Sequence, residues 1–237
     1  MTDSTMSVHR TFHEKLDTLK EGLVAMSQGA EEVLDLSLDA LRSRDGAKAE
    51  AVLVADGGLD RQELELEALA ISLLALQQPM ARDLRFIVSA IKIVSDLERV
   101  GDHAVNIAGS TIRMHALVTR LGLPPQIEEM GRLARAMLSD ALDAVIRLDG
   151  KLGREVCRRD DAVDSLHETL FRSLLTHMME EPRTISYALE LLLVGRNLER
   201  VADLATNIAE DAVYLAEGVS IKHHTEGWSD PDQSTNA

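Results

Sequence analysis

Two short stretches hold the residues best suited to chemistry. Asp96 to Ala108 reads DLERVGDHAVNIA and Asn197 to Ala209 reads NLERVADLATNIA, identical at nine of thirteen positions. Each carries a Glu and an Asp four residues apart, Glu98 with Asp102 and Glu199 with Asp203. Asn106 and Asn207 follow four residues further on. Four residues is about one helical turn, so each trio shares a helix face. Two more spaced pairs lie upstream, Asp56 with Asp60 and Asp160 with Asp164. Like charges one turn apart cost about 0.2–0.5 kcal/mol even on a solvated helix. Glu98 and Asp102 also continue an apolar seam, where unpaired charge is far more costly. A metal ion, a set of arginines or protonation could compensate. Oxygen ligands suit hard cations such as magnesium, calcium, manganese or iron. Several ions bridged by carboxylates would match this ligand density.

The elements that must position these acids are long helices. From Phe12 an apolar seam steps by four and three through Leu16, Leu19, Leu23, Met26, Ala30, Val33, Ser37 and Ala40. Arg44, Asp45 and Gly46 end that helix. A second is expected over 47–77, with Gly57 and Gly58 inside it at roughly 1 kcal/mol each against Ala. Pro79 marks a tight connection, since the residue before proline avoids helical geometry. A third helix is expected over 80–115, with a seam at Leu84, Ile87, Ile91, Val94, Glu98, Asp102 and Val105. Thr119 to Gln126, TRLGLPPQ, is the strongest linker. The pattern then restarts at Ile127, and Asp149-Gly150 repeats Asp45-Gly46 at an offset of 104. A fifth helix is expected to Glu180, a turn at Pro182, and a sixth over 184–217.

The chain therefore reads as all-α: two tandem three-helix bundles related by internal duplication, six long helices in all. The expected units are 8–118 and 126–218, with residues 1–8 frayed and 219–237 a disordered tail. Helices two and three of each unit should run antiparallel. Asp60 with Glu98, and Asp56 with Asp102, are each centred on Pro79. Asp164 with Glu199, and Asp160 with Asp203, are centred beside Pro182. Each hairpin thus brings four carboxylates into one small volume. His103 follows Asp102, whereas its repeat equivalent is Leu204; His167 stands where the first unit has Glu63. These histidines read first as packed or surface residues, Cys157 as a small buried one, and His223-His224 as solvated.

Composition removes several functions. The formal charge is −15 over 237 residues, which disfavours direct nucleic-acid binding. One cysteine excludes an internal disulfide framework and suits a reducing compartment. No signal peptide is evident, and the most apolar run, Ala68 to Leu76, is far short of the about 20 residues a spanning helix needs. No P-loop, nucleophile elbow or glycine-rich dinucleotide turn is present, so an enzyme is not expected. A carboxylate-bridged metal enzyme would use Glu-x-x-His on paired helices, and the chain has none. A metal-storage or structural helical protein is the remaining alternative.

At LERVGDHAVNIA and LERVADLATNIA the sequence resembles the PhoU family of bacterial phosphate-transport accessory and signalling proteins. The resemblance covers residues 8–218, and MARDLRFIVSAIKIVSDLERVGDHAVNIA is close to the family's hallmark segment. It implies two three-helix bundles, with acid motifs at Asp56/Asp60, Glu98/Asp102, Asp160/Asp164 and Glu199/Asp203. Some members hold multinuclear iron or zinc clusters at these motifs. Many have His after the motif Asp, so Leu204 departs from the pattern and puts the ligands of the second site in question. The resemblance further implies a cytoplasmic adaptor, often a homodimer, that acts without turnover. It would couple a phosphate-specific ABC transporter to a sensor histidine kinase and reach the membrane only through those partners. Its role would be negative regulation of the phosphate-starvation response and restraint of uptake.

Overall fold

The computed structural model describes residues 2–76, 79–117 and 121–222. These form α1 (Thr2–Ser43), α2 (Gly46–Leu76), α3 (Ala81–His115), α4 (Pro125–Arg147), α5 (Gly150–Cys157), α6 (Asp160–Glu180) and α7 (Ile185–Glu217), with a 3-10 turn at Pro182–Thr184. No strand occurs among the described residues. Helices α1–α3 pack as one bundle, and α4–α7 as a second. The tandem all-α plan expected from the duplication is present.

The fifth expected rod is interrupted. Arg158 and Arg159 form a turn between α5 and α6. Arg159 points its guanidinium at Asp140 of α4. The break puts Asp160 and Asp161 in the first turn of α6, where free backbone N–H groups favour negative charge. At the start of the chain, α1 already begins at Thr2, so the backbone over 2–8 is helical rather than frayed. Gly57 and Gly58 do not break α2. Pro125 opens α4 instead of belonging to the linker, because its fixed φ suits the first helical position. Gln77, Thr119, the first unit's expected end at 118 and the tail from His223 lie outside the described residues.

The two Asp-Gly breaks have one mechanism. Arg44 and Leu148 take left-handed backbone, with φ of 52° and 54°. Asp45 then caps α2 by accepting from the Ala47 and Lys48 N–H groups. Asp149 caps α5 in the same way through Lys151 and Leu152. Such caps contribute about 1 kcal/mol each.

The α1 seam is buried at every expected position, Ser37 included. The bundles meet mainly where α3 crosses α7. Arg113 forks onto Glu190, with both nitrogens within 2.9 Å. His103 Nδ1 lies 2.9 Å from Asn197 Oδ1, and Lys92 reaches Asp211 at 3.6 Å. Partners descend along α7 as they ascend along α3, so the two helices are antiparallel. Asp211 is only 1% exposed. Burial, relieved by Arg99 and aggravated by Asp211, raises the nearby Asp96 carboxyl to about 6. The expected tail does not start at 219, because Ile221 is buried and Lys222 lies 3.7 Å from Asp211 and 3.9 Å from Glu210. Ile221 and Lys222 thereby lie against the inter-repeat seam.

Candidate functional site

The first acid cluster forms between α2 and α3. The core line of α3 runs through Leu97, Val100, Ala104 and Ile107, one step aside from the expected seam. That helix is covered by α1 and α2 on one side and by α7 on the other. Its buried face is correspondingly broad, and the acids fall at its edge. Glu98 is therefore only half-buried, and Asp102 and Asn106 are exposed. The expected register nevertheless appears in the electrostatics. Burial raises Asp56, with Asp60 and then Asp102 adding to it. Glu98 is pushed up to about 7, first by burial and then by Asp102, Glu63, Asp60 and Asp56. Every charge acting strongly on Glu98 is thus negative. Among the described residues, no Lys or Arg ion pair reaches Asp56, Asp60, Glu63, Glu98 or Asp102.

Gly101 allows this crowding. A Cβ there would sit 2.5 Å from Asp56 Oδ1 and 2.7 Å from Leu59 Cδ1, so only a bare Cα lets Asp56 lie against α3. Asp56 Oδ1 is buried without a hydrogen-bond partner. Glu63 is a fifth member that the motif spacing did not single out. Its signal was present, since it lies three residues after Asp60 on the same face.

The second cluster is built differently. Asp160 is raised to about 6 by burial, then by Asp203 and Asp164. The Thr206 hydroxyl offsets part of this, although neither Asp160 Oδ1 nor Thr206 Oγ1 completes a well-formed hydrogen bond. Arg200 pairs with Asp203 at 2.9 Å, and His167 Nδ1 lies 3.6 Å from Glu199. Asp164 is exposed. A polar cleft of about 290 Å³ opens here, lined by Asp160, Arg200, Asp203, Thr206 and Asn207 of the second repeat and by Arg99 and His103 of the first. Leu204 does not deprive this site of a histidine, because His103 of the other repeat reaches it. That Arg99 crosses to the second repeat's cleft was not legible in the motif spacing. Cys157 packs beside Thr206 and burial drives its thiol up to about 12, which suits an inert packed residue.

Both donor sets fit a hard cation in chemistry: several carboxylates lie close together, and Asp56, Glu98 and Asp160 are raised first by burial and then by neighbouring carboxylates. Among the described residues, no three His, Cys, Asp or Glu side chains converge on one point as they stand. A bound ion therefore requires these partly exposed side chains to rotate inwards.

Glu98 makes a testable pH term. Its carboxyl is raised from 4.5 to about 7, so the fold holds that proton better than the unfolded chain does. Its stabilisation is complete below about pH 4.5 and is lost as pH rises through about 7. Glu98→Gln keeps the neutral form at all pH. With chelator present, we expect its melting temperature to exceed wild type by about 2–4 °C at pH 8, corresponding to about 1 kcal/mol after discounting for exposure. The difference should vanish near pH 4.5. A variant that melts below wild type at pH 8 would contradict the electrostatic origin.

These features define a class: a tandemly duplicated three-helix protein in which each repeat carries a carboxylate cluster between its last two rods. The family model for the PhoU domain matches the chain twice, over residues 23–111 and 127–212. The chain belongs to the PhoU family. It is 41% identical over 210 residues to a phosphate-specific transport system accessory protein PhoU homolog of Caulobacter vibrioides, covering 89% of this chain and 90% of that one. A homolog of the same description from Aquifex aeolicus is 39% identical over 212 residues, covering 89% and 95%. The crystal structure of PhoU from Pseudomonas aeruginosa superposes with a TM-score of 0.85 at 35% identity, covering 88% of this chain and all of that one. The phosphate transport system regulatory protein PhoU from Streptococcus pneumoniae superposes at 0.80 and 30% identity, covering 88% and 98%.

Proposed function

We propose that the protein is a negative regulator of the phosphate-starvation response. It acts as a cytoplasmic, non-catalytic adaptor, working as a homodimer, that couples a phosphate-specific ABC transporter to a sensor histidine kinase and restrains uptake. The observation that carries this reading is the match of both repeats to one domain, in a chain whose relatives along most of its length are phosphate-specific transport accessory proteins. Contact with the membrane through those partners agrees with the helices, none of which, among the described residues, is long and apolar enough to cross a bilayer. The charge of −15 speaks against direct nucleic-acid binding.

The acid clusters give the adaptor a place for metal. Asp56, Asp60, Glu98, Asp102 and Asn106 would hold it in the first repeat, and Asp160, Asp164, Glu199, Asp203 and Asn207 in the second. Iron, zinc or manganese in a multinuclear cluster, or magnesium or calcium, would supply the positive charge these carboxylates lack. In the first repeat the ligands come from α2 and α3, so occupancy would tie those helices together. Loss of the gene should derepress phosphate-starvation genes in phosphate-rich medium, read with a promoter reporter. Unchanged reporter output in the deletion strain would overturn the assignment.

A further inference from the structure

We propose that two copies of this chain pair through the outer face of the α6–α7 hairpin, forming a four-helix bundle about a two-fold axis. That the chain pairs at all rests on the homodimer reading above; where it pairs rests on the hairpin itself.

Counting outward from Pro182 matches more than acids. Met179 is level with Ile185, Leu175 with Leu189 and Phe171 with Leu193, each pair centred on Pro182. Within each helix the steps are four residues, so each trio forms one ridge. Helix α6 buries Val163, Leu170 and Leu174, but all six ridge side chains are exposed, from 40% at Ile185 to 77% at Met179. Together they present roughly 600 Å² of largely apolar surface, at the upper end for a monomer. That is most of the about 800 Å² per partner that a standard interface buries. Phe and Met are also among the residues enriched at such interfaces.

The first repeat is the internal comparison. Its equivalents are Glu67, Ile71 and Ala75 on α2 and Leu84, Val88 and Lys92 on α3. The rung farthest from the turn is therefore charged, and Lys92 is drawn to Asp211. Of the two hairpins, the second is the one with an uninterrupted apolar stripe.

Charge at the two ends of the stripe selects a second copy as the occupant and sets how it lies. The turn end carries Glu180, Glu181 and Arg183, a net negative set. The far end carries Arg196 with the Glu168–Arg172 pair, a net positive one. Among the described residues, Arg196, Glu180 and Glu181 have no ion pair. Arg196 lies seven residues after Leu189 and Pro182 seven before it, each about 10 Å from the middle rung. A two-fold axis across the helices at the Leu175–Leu189 rung therefore sets each copy's Arg196 level with the other copy's turn, beside Glu180 and Glu181. An axis along the helices would instead oppose like charges. The antiparallel arrangement leaves the second carboxylate cluster open, because Asp160 is about 22 Å from the middle rung and the other copy's hairpin ends at about 10 Å.

Sedimentation equilibrium of the full-length chain at micromolar concentration tests this. The wild type should sediment as a dimer. Leu175→Asp/Leu189→Asp, at two exposed positions, should sediment as a monomer and keep the wild-type circular dichroism. Ile71→Asp/Val88→Asp, the equivalent positions of the first repeat, should remain a dimer. Arg196→Glu should weaken dimerisation at least about tenfold, and adding Glu180→Arg/Glu181→Arg should recover it. A dimer that survives Leu175→Asp/Leu189→Asp, or that is lost only through Ile71→Asp/Val88→Asp, would overturn the proposal and leave the homodimer standing with its interface elsewhere. A wild-type monomer would overturn both. A monomer that floats with phosphatidylglycerol vesicles, and does so only with Leu175 and Leu189 intact, would assign the stripe to a lipid surface instead. Derepression of the reporter on gene deletion stands or falls independently of these outcomes.

Discussion

Gly153→Val should lower the melting temperature by about 6–12 °C, equivalent to about 3 kcal/mol of overpacking. A Cβ at Gly153 would lie 2.8 Å from the backbone oxygen of Ala209 and 3.0 Å from Val213 Cγ2. That oxygen belongs to the hydrogen-bond ladder of α7 and cannot turn aside as a side chain could. Helix α5 must therefore move off α7. Since α5 leads directly into Asp160, the displacement also shifts that carboxylate against Asp203, and cation stabilisation should weaken with it. Gly58→Ala is the matched control. Nothing lies within 4 Å of a Cβ there, the position is inside α2, and the substitution should stabilise by about 0.5–1 kcal/mol. Thermal denaturation followed by circular dichroism reads both. Equal effects of the two substitutions would contradict the packing described for α5.

Manganese should raise the melting temperature by about 5–11 °C at a hundred times its dissociation constant, from the about 2.7 kcal/mol that such saturation contributes. The effect should be larger at pH 8 than at pH 5.5. Glu98 is protonated below about 7 and Asp160 below about 6, so protons compete with the ion over that range. Glu98→Gln/Asp102→Asn should remove the first cluster's share, and Asp160→Asn/Asp203→Asn the second's. A shift that survives all four substitutions would place the cation elsewhere.

Much of this architecture could be read from residue order, because helical periodicity is a local signal. The α1 seam from Phe12 to Ala40 needed only the spacing of apolar residues. The pairing of Asp56 with Asp102 needed one further step, counting outward from Pro79. What could not be read depended on the packing of one repeat against the other. The two faces that α3 buries shift its core to Leu97 and Val100 and leave Glu98 at an edge. The antiparallel crossing of α3 and α7 sends Arg99 and His103 to the second repeat's cleft, not to their own. Residues that are neighbours in the motif thus serve different clusters. The break at Arg158-Arg159 was hidden for a similar reason: Arg159 answers Asp140 on another helix. Asp211, buried at the seam and approached by Lys92 and Lys222, sits in no repeated motif.

Elemental analysis of untagged protein purified without chelator tests the cation role of the carboxylate clusters most directly, with Glu98→Ala/Asp102→Ala as the comparison. Bound iron, zinc or manganese in the wild type, reduced in the variant, is the expected result. Wild-type protein without metal, or a variant with unchanged metal content, would contradict it and leave protonation to balance the first cluster and the Arg200–Asp203 pair to balance the second.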